Sequence, residues 1–359
     1  MKVGVLTGGG DCPGLNAVIR AIVKASKVKH NWEVIGVEEG FEGLMTPVKT
    51  RVMTPWTIRG ILPTGGTILG TTSGMSPARM TAKGGGDEGK IDIPRMIKAN
   101  VKELGLTGLI VIGGDGTLKI GLELYEIGVP VVGIPKTIDN DIPATDLTFG
   151  FQTAVNTATE ALDKLHTTAE SHHRIIVVEV MGRYAGWIAL EAGIAGGADV
   201  ILIPEIPFQI DQVCKKIASR YEQGSRFSIV VVAEGAKPVG GEMSILKRSE
   251  EGYVERLGGI GTKVGDEIAR CVNMDVRVTV LGHLQRGGSP TPFDRILATR
   301  FGVAAVNLIA EGRFGAMVRL RGTQVESVPL AEATRALKLV PPDGELVKTA
   351  EGLGITFGR

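Results

Sequence analysis

Two hydrophobic patterns alternate along the chain. Short runs of valine, isoleucine and leucine bounded by glycine, such as KVGVLT (2–7) and LTGLIVIGG (106–114), are each followed by a longer segment whose apolar positions recur at helical spacing. A buried strand gives the first pattern and an amphipathic helix the second. The alternation predicts βαβ units, and therefore an α/β fold with mainly parallel sheets.

The same patterns predict most of the remaining elements. Further strands are predicted for WEVIGVEE, VPVVGIP, RIIVVEVMG, DVILIPE and RFSIVVVAEG, and helices for GLNAVIRAIVKASK, DGTLKIGLELYEIG, FQTAVNTATEALDKLHTTAES, AGWIALEAGIAGG, QVCKKIASRYEQ and FDRILATRFGVAAVNLIAEG. Two glycine-rich stretches, KGGGDEGK (83–90) and GGIGTKVG (258–265), are interpreted as loops, because neither completes a P-loop or a dinucleotide fingerprint.

Length and composition restrict the class of protein. A chain of 359 residues exceeds the size at which one hydrophobic core keeps growing, so we expect two lobes. The 40 basic and 39 acidic side chains nearly cancel, which predicts no nucleic-acid partner. Neither a signal peptide nor an apolar run of about 18 residues is evident, so no membrane insertion is expected. Cys12, Cys214 and Cys271 are odd in number and far apart, which predicts neither a disulfide framework nor a zinc site and favours the cytoplasm.

Polar clusters follow several of the predicted strands. Ligands of open α/β sheets bind at the carboxyl ends of strands, where glycine turns lead into helix N-termini that attract anions. We therefore expect phosphate binding at these clusters. They are Gly8, Gly9, Gly10 and Asp11; Gly113, Gly114, Asp115, Gly116 and Thr117; PKTIDNDI (135–142); and Met181, Gly182 and Arg183.

Acidic residues in two of these clusters point to phosphate chemistry. Asp139 and Asp141 alternate in an extended segment and share a face, where they repel each other unless a metal ion, an ammonium group or a shared proton lies between them. Asp115 stands among glycines whose amides can approach a ligand. Its carboxylate suits a metal ion that accompanies phosphate, or a simple helix N-cap.

Basic residues elsewhere favour the binding of a dianion. His283 and Arg286 follow an apolar run and precede glycine, and together with Arg277 they are suited to grip a phosphate. Arg174 follows a long predicted helix, where a cation also interacts favourably with the helix dipole. Glu234 is at a strand end, where it either bonds sugar hydroxyls or caps a turn.

Taken together, the motifs resemble the phosphofructokinase family. LTGGGDCPGLN, GGDGT, PKTIDND, VEVMGRYAG, AEG and LGHLQRGGSPTPFDR occur in the order of that family across nearly the whole chain. GGDGT alone also occurs in NAD and lipid kinases, whereas the combination is specific. The resemblance implies two Rossmann-like three-layer lobes with the active site in the cleft between them. We expect residues 1–150 and 285–335 to form the donor lobe, and 151–284 and 336–359 the sugar-phosphate lobe.

The resemblance also implies the reaction. The family transfers a phosphoryl group to the 1-hydroxyl of fructose 6-phosphate. Asp139 matches its catalytic base, Asp115 its magnesium-associated carboxylate, and Thr137 and Asp141 positions near the transferred group. Arg183 would add positive charge beside the sugar phosphate. Positioning and charge neutralisation are expected to supply most of the acceleration.

Other family positions are matched as well. Phe41 stands where members often have tyrosine. Arg174 and Arg277 match residues that reach the 6-phosphate from a neighbouring subunit, which implies shared sites in a homotetramer or a homodimer. The nucleotide pocket matches Gly9, Gly10, Phe41, Gly114, Gly116, Thr117 and Lys136, the sugar site matches Met181, Gly182 and Glu234, and the 6-phosphate grip matches His283 and Arg286.

Two positions bear on the phosphoryl donor. Pyrophosphate users of the family commonly carry aspartate where this chain has Gly116, and a carboxylate there would repel the α-phosphate of ATP. Lys136, in contrast, is shared with pyrophosphate enzymes. We favour ATP with Mg²⁺, with pyrophosphate as the alternative. The arginine that usually follows GGTILG is replaced by Ser73 and Gly74, and Arg79 or Lys136 is a candidate to fill its role.

Regulation and other functions stay open. Arg20 and Lys24 suit either an effector site or a solvated helix face, and His166 stands where such a site usually has arginine. A sugar-phosphate-binding regulator without turnover is a second class of function, although the intact Asp139 disfavours it. An NAD-dependent oxidoreductase is disfavoured by the missing dinucleotide fingerprint.

Overall fold

A computed structural model describes residues 1–72, 92–247 and 256–359. The predicted loop at 83–90, and Ser73, Gly74 and Arg79, lie outside the described residues. The strands are β1 Lys2–Thr7, β2 Glu33–Val37, β3 Thr50–Met53, β4 Leu106–Gly113, β5 Val131–Thr137, β6 Phe149–Gly150, β7 Ile175–Val180, β8 Val200–Leu202, β9 Ser228–Ala233, β10 Ile245–Lys247, β11 Arg256–Leu257, β12 Val276–Val280, β13 Ala316–Arg321 and β14 Gln324–Pro329.

Helices connect most of these strands, as the alternating pattern predicted. The α-helices are α1 Leu15–His30, α2 Ile93–Glu103, α3 Asp115–Glu126, α4 Phe151–His172, α5 Trp187–Ala195, α6 Ile210–Glu222, α7 Ile260–Cys271, α8 Pro292–Ala310 and α9 Glu345–Gly352. Short 3₁₀ turns occupy Gly40–Leu44, Gly282–Arg286 and Leu330–Thr334. Within the described residues, no helix combines the length and hydropathy that a membrane-spanning segment needs.

Two large sheets organise the described part of the chain, and β10 pairs with β11 in a small antiparallel sheet of their own. The first has the order β14-β13-β5-β4-β1-β2-β3, with β6 pairing β5; β3 and β14 run antiparallel to their neighbours and the other pairings are parallel. The second has the order β12-β7-β9-β8 and is entirely parallel. The predicted α/β class with mainly parallel sheets is confirmed. The proposed domain boundaries stay a prediction, which this division of strands supports.

Apolar side chains cover both faces of each sheet. Along β4, Leu109 and Val111 belong to one buried cluster, while Ile110 and Ile112 belong to another. The second sheet behaves in the same way, since Val230 faces away from the neighbouring Ile229. One cluster receives side chains from both sheets and from α1, α4, α5 and α8. Each sheet is therefore the middle of a three-layer lobe, and the two lobes share a continuous core.

Two expectations from the sequence are wrong. The stretch GGIGTKVG (258–265) is not a loop, because α7 begins inside it at Ile260. Its glycines allow close packing: a Cβ on Gly261 would lie 3.0 Å from the Cβ of Glu179, and one on Gly265 would lie 2.7 Å from Val278. The chain also carries a disulfide between Cys214 in α6 and Cys271 in α7, with Cα atoms 6.2 Å apart. The packing of α6 against α7 joins cysteines that are 57 positions apart.

Candidate active site at the strand ends

The four polar clusters lie at the carboxyl ends of parallel strands. β1, β4, β5 and β7 end at Thr7, Gly113, Thr137 and Val180, where the predicted clusters are located. β1, β4 and β5 are neighbours in the first sheet, so their carboxyl ends meet at one edge. We call this edge, with the β7 cluster facing it, the strand-end site.

The glycine loop after β1 is held open by its neighbours. The Nζ atom of Lys136 donates to the carbonyl oxygens of Gly8, at 3.0 Å, and of Gly10. Thr117 packs beneath the loop, where a Cβ on Gly8 would lie 2.7 Å from its methyl group. Burial lowers the pKa of Lys136, so this ammonium is stabilised by carbonyls and nearby carboxylates rather than by water. The arrangement places the ammonium group of Lys136 beside the glycine main chain of this loop.

Asp115 begins α3 with one oxygen unused. Its Oδ2 accepts from Lys119 at 2.7 Å, whereas Oδ1 is buried without a hydrogen-bond partner. Gly116 beside it is exposed, and a Cβ there would meet no atom within 4 Å. No side-chain cap bond is formed at the start of this helix. A buried carboxylate oxygen next to open space and a helix N-terminus suits a cation that carries phosphate oxygens.

Asp139 is the most confined acid of the site. It is 5% exposed, its main-chain N–H donates to Thr137 Oγ1 at 3.0 Å, and its Oδ1 has no partner. Burial raises the pKa of Asp139, while the charges of Arg286, Arg183 and Lys136 act in the opposite direction. A buried carboxyl oxygen without a partner, surrounded by cations, is suited to accept a proton from an incoming hydroxyl.

Asp141 lies in the same buried environment, which disfavours a second negative charge beside that of Asp139. It is 9% exposed, and burial together with the charge of Asp139 raises its pKa to about 7. Asn140 between the two aspartates has a left-handed backbone, with φ of 52°. Among residues with a side chain, asparagine is one of those that adopt this conformation most readily. Because burial and the charge of Asp139 both raise the pKa of Asp141, a proton on Asp141 would relieve part of the repulsion between the two acids.

The cluster after β7 is tied to Glu234 and Gln285. The main-chain N–H of Arg183 donates to Glu234 Oε1 at 3.0 Å, and that of Met181 to Gln285 Oε1 at 3.3 Å. Burial raises the pKa of Glu234 to about 7. Gly182, with φ of 136°, provides the turn between them. Glu234 therefore shapes this loop through the backbone, which agrees with the capping role that the sequence left open.

The segment after β12 brings Arg286 to the glycine loop of the first sheet. Its Nη1 donates to the carbonyl of Asp11 at 3.2 Å, and a Cβ on Gly10 would lie 2.7 Å from the same nitrogen. His283, one turn earlier, is exposed. Gln285 is fully buried, and the sequence did not single it out, although it lies between two residues that were predicted. The segment from β12 to Arg286 thus runs from the second sheet to the glycine loop of the first.

Arg174 and Arg277 are not brought to this site. Arg174 immediately precedes β7 and Arg277 is the second residue of β12, so both lie at the amino end of the second sheet. The length of β7 places them roughly 20 Å from the Met181 loop at ~3.3 Å per residue. Both bond the exposed carboxylate of Asp275, Arg174 at 2.7 Å. We call these two residues the amino-end arginine pair.

Two other predicted residues have unexpected surroundings. Phe41 is 2% exposed and packs in the apolar cluster that contains Leu6 and Val37, so its ring is not at an open surface. His166, considered for an effector site, bonds the carbonyl of Gly196 at 2.7 Å through Nε2. The nucleotide role of Phe41 stays a prediction.

Glycine loops, buried carboxylates and arginines at the strand ends of two Rossmann-like lobes define an α/β protein built to bind phosphate groups. A sequence profile described as phosphofructokinase matches residues 2–309. An ATP-dependent 6-phosphofructokinase of Chloroflexus aggregans is 56% identical over 360 residues, covering 99% of this chain and 98% of that protein. A pyrophosphate–fructose 6-phosphate 1-phosphotransferase of Amycolatopsis methanolica is 52% identical over 346 residues, covering 96% and 97%. The chain belongs to the phosphofructokinase family.

Solved structures agree with the fold. The crystal structure of a pyrophosphate-dependent phosphofructokinase from Nitrosospira multiformis superposes with a TM-score of 0.80 at 21% identity, covering 96% of this chain and 87% of that one. The two-lobe architecture that the resemblance implied is therefore confirmed.

Proposed function

We propose that the protein transfers the γ-phosphoryl group of ATP to the 1-hydroxyl of fructose 6-phosphate, giving fructose 1,6-bisphosphate and ADP. The observation that carries this proposal is the unpartnered, buried Oδ1 of Asp139 among three cationic side chains at the strand-end site. The 56% identical relative is named as an ATP-dependent 6-phosphofructokinase, which supports the same reaction.

Asp139 acts as the base. Its carboxylate accepts the proton of the 1-hydroxyl while that oxygen forms a bond to the γ-phosphorus and the bond from phosphorus to the β,γ-bridging oxygen breaks. The proton stays on Asp139 and the electron pair of the broken bond leaves with ADP. Thr137 and Asp141 adjoin the transferred group, and Arg183 offsets its charge. Because the transition state is loose, holding the two phosphates in line contributes more than covalent chemistry does.

Asp115 is the residue proposed to hold Mg²⁺. Among the described residues, no three histidine, cysteine, aspartate or glutamate side chains cluster closely enough to form a metal site alone. Magnesium commonly binds through one or two carboxylates together with substrate phosphates, and the unpartnered Oδ1 of Asp115 fits that requirement. When bound, the ion would neutralise charge on the donor phosphates.

The open space at Gly116 supports ATP as the donor. No atom would approach a Cβ there within 4 Å, so a nucleotide has room beside α3. The remaining nucleotide contacts are proposed for Gly9, Gly10, Gly114, Thr117 and Lys136. Pyrophosphate is the alternative donor, because Lys136 is present and a 52% identical relative is named for that donor.

The sugar phosphate is proposed to lie against the β7 cluster, with Met181, Gly182 and Glu234 at the sugar and His283 and Arg286 at the 6-phosphate. Arg174 and Arg277 are proposed to complete this site in a neighbouring subunit of a homotetramer or homodimer. Exposed apolar side chains of Val278 and Val280 in the same edge strand, β12, support an interface along this edge of the second sheet.

The proposed domain division assigns residues 1–150 and 285–335 to the donor lobe, and 151–284 and 336–359 to the sugar lobe. Every strand of the first sheet falls in the donor ranges. A cytoplasmic location stays a prediction, and the disulfide removes the cysteine argument for it.

The deciding experiment compares two donors on the purified chain. Formation of fructose 1,6-bisphosphate is measured with MgATP and with magnesium pyrophosphate at saturating fructose 6-phosphate. We expect activity with ATP. Turnover with pyrophosphate alone would mean that pyrophosphate, and not ATP, is the donor. Binding of the sugar phosphate without turnover on either donor would favour a regulator.

A further inference from the structure

The residue that carries a further inference is Lys338, in the irregular segment between the last 3₁₀ turn and α9. An ammonium group has three hydrogens to donate, and Lys338 uses all of them. Its Nζ lies 2.9 Å from Asn140 Oδ1, 3.0 Å from the carbonyl of Thr145 and 2.8 Å from that of Asp146. Asn140 belongs to the proposed catalytic turn, and Thr145 and Asp146 follow that turn in the chain.

The main chain around Lys338 connects the same turn to the other lobe. Its N–H donates to the carbonyl of Asp141 at 2.8 Å, and its carbonyl accepts from Trp187 Nε1 at 2.9 Å. Two residues later, the N–H of Val340 donates to Glu205 Oε1 at 2.9 Å. We call residues 338–340 the C-terminal strap. The strap therefore bonds the turn after β5 on one side and the sugar lobe on the other.

Asn140 links the C-terminal strap to the two aspartates of the proposed catalytic turn. Its left-handed backbone sets how the chain passes from Asp139 to Asp141, and its Oδ1 accepts from both Lys338 and the N–H of Thr148, the latter at 3.2 Å. Asparagine adopts this conformation more readily than most residues with a side chain, and the two bonds to Oδ1 fix its orientation here. The ammonium of Lys338 is the charged donor of the two.

The charge of Lys338 is retained in spite of its burial. Burial lowers its pKa to about 8, and the carboxylates of Asp146, Asp141 and Glu191 oppose that change. The ammonium also lies 5.7 Å from the centre of the Trp187 ring, a distance at which a cation is attracted to an indole. The group is thus mostly protonated at neutral pH.

We propose that Lys338 is a positioning residue for phosphoryl transfer: through Asn140 and the main chain of Asp141 it holds the Thr137–Asp141 turn in the conformation in which Asp139 meets the acceptor hydroxyl. This inference rests on the proposed function. The side chain of Lys338 bonds Asn140, the residue directly after Asp139, so loss of that side chain should lower the rate of the chemical step more than the affinity for either substrate.

The test measures kcat and both KM values for Lys338→Met, Lys338→Arg and the control Lys348→Met, an exposed lysine of α9. We expect Lys338→Met to lower kcat by about 10- to 100-fold, the effect of losing one or two charge-assisted hydrogen bonds, with both KM values within about threefold. Lys338→Arg, which keeps the charge, should recover part of kcat, and Lys348→Met should behave as the unaltered protein.

Asn140→Gly provides a second route, including the case in which Lys338→Met does not fold. Glycine keeps the left-handed backbone but removes the acceptor Oδ1. If Lys338 acts through Asn140, the losses in kcat of Asn140→Gly and Lys338→Arg should be less than additive in the double variant. Hydrogen exchange at the Thr148 amide should rise in Asn140→Gly, because that amide loses its partner.

Three outcomes overturn the inference. They are an unchanged kcat in a folded Lys338→Met protein, an increase in KM alone, and full additivity of Asn140→Gly with Lys338→Arg. Inactivity of the unaltered protein with both donors would instead reject the proposed function, so the two failures are distinguishable.

Discussion

The strand-end site and the amino-end arginine pair carry charge in opposite ways. At the strand ends, Asp139 and Asp141 are nearly inaccessible, whereas Arg174 and Arg277 are accessible and share one exposed partner, Asp275. Buried ionisable groups with unused bonding capacity are costly and persist for function. Exposed ion pairs contribute little stability and are free to exchange partners. The difference supports the two proposed roles, which are chemistry at the strand-end site and binding by the amino-end arginine pair.

Replacing the proposed base should have the largest effect on activity at the strand-end site. Asp139→Ser removes the only group proposed to accept the hydroxyl proton, so kcat should fall by about two to four powers of ten while KM for fructose 6-phosphate stays within a few-fold. Steady-state kinetics on the folded variant measure both. Asp163→Ser, an exposed aspartate of α4, is the matched control and should leave kcat unchanged. Near-normal turnover of Asp139→Ser would mean that Asp139 is not the base.

Removing the amino-end pair should affect binding instead. Arg277→Ala deletes a charged donor, so KM for fructose 6-phosphate should rise by about 10- to 100-fold. Arg270→Ala, an exposed arginine at the end of α7, serves as the control.

Mixing Asp139→Ser with Arg277→Ala tests whether sites are shared between subunits. A subunit with intact Asp139 can borrow Arg277 from the Asp139→Ser subunit, so random pairing should restore about a quarter of the sites of a two-fold assembly. The variants are unfolded and refolded together, and activity at low fructose 6-phosphate is compared with separately refolded samples. No recovery would place the action of Arg277 within its own chain, or outside the reaction.

The sequence predicted the strand ends well for a physical reason. Alternation of strands and helices is a local signal, and in a parallel sheet it determines which residues meet at the carboxyl edge. That is why Asp115 and Asp139 could be assigned to one edge without a structure. Their confinement, which makes one oxygen of each unpartnered, depends on packing and was not predictable.

What the sequence did not predict depends on distant contacts. Lys338 lies 198 positions from Asn140, in an irregular segment without hydrophobic periodicity, and only the folded chain brings them together. The disulfide was missed for the same reason, since pairing follows from the contact of α6 with α7. The error at residues 258–265 has another cause: glycine was interpreted as a turn signal, although Gly261 and Gly265 allow a helix to approach the sheet closely.

A carboxylate introduced at position 116 tests the donor preference of the strand-end site. In Gly116→Asp the new side chain has open space, so the fold should be kept. We expect kcat/KM with ATP to fall about tenfold or more relative to that with pyrophosphate, because two negative groups would then lie close together. Gly116→Asn, similar in size but uncharged, should lose less. Equal losses with both donors would contradict the argument from repulsion.

The smallest expected effect is the pH dependence that the buried acids impose on stability. Burial raises the pKa of Asp141 to about 7, above its ordinary value of 3.8, so between pH 4 and 7 the folded chain keeps a proton that the unfolded chain has released. This contribution to the free energy of unfolding is present below pH 4 and is lost as pH rises through 7, by at most about 1.4 kcal/mol per pH unit. Glu234 acts in the same direction, since burial raises its pKa to about 7 as well.

Urea unfolding at pH 5.0 and 7.5 measures this change at constant ionic strength. Asp141→Asn and Glu234→Gln should each reduce the loss of stability between the two conditions, and the double variant should reduce it further. If Asp141→Asn leaves the change in unfolding free energy between the two pH values intact, ionisation of Asp141 has no cost in stability at neutral pH. The confinement that separates it from the amino-end arginine pair would then have no energetic consequence.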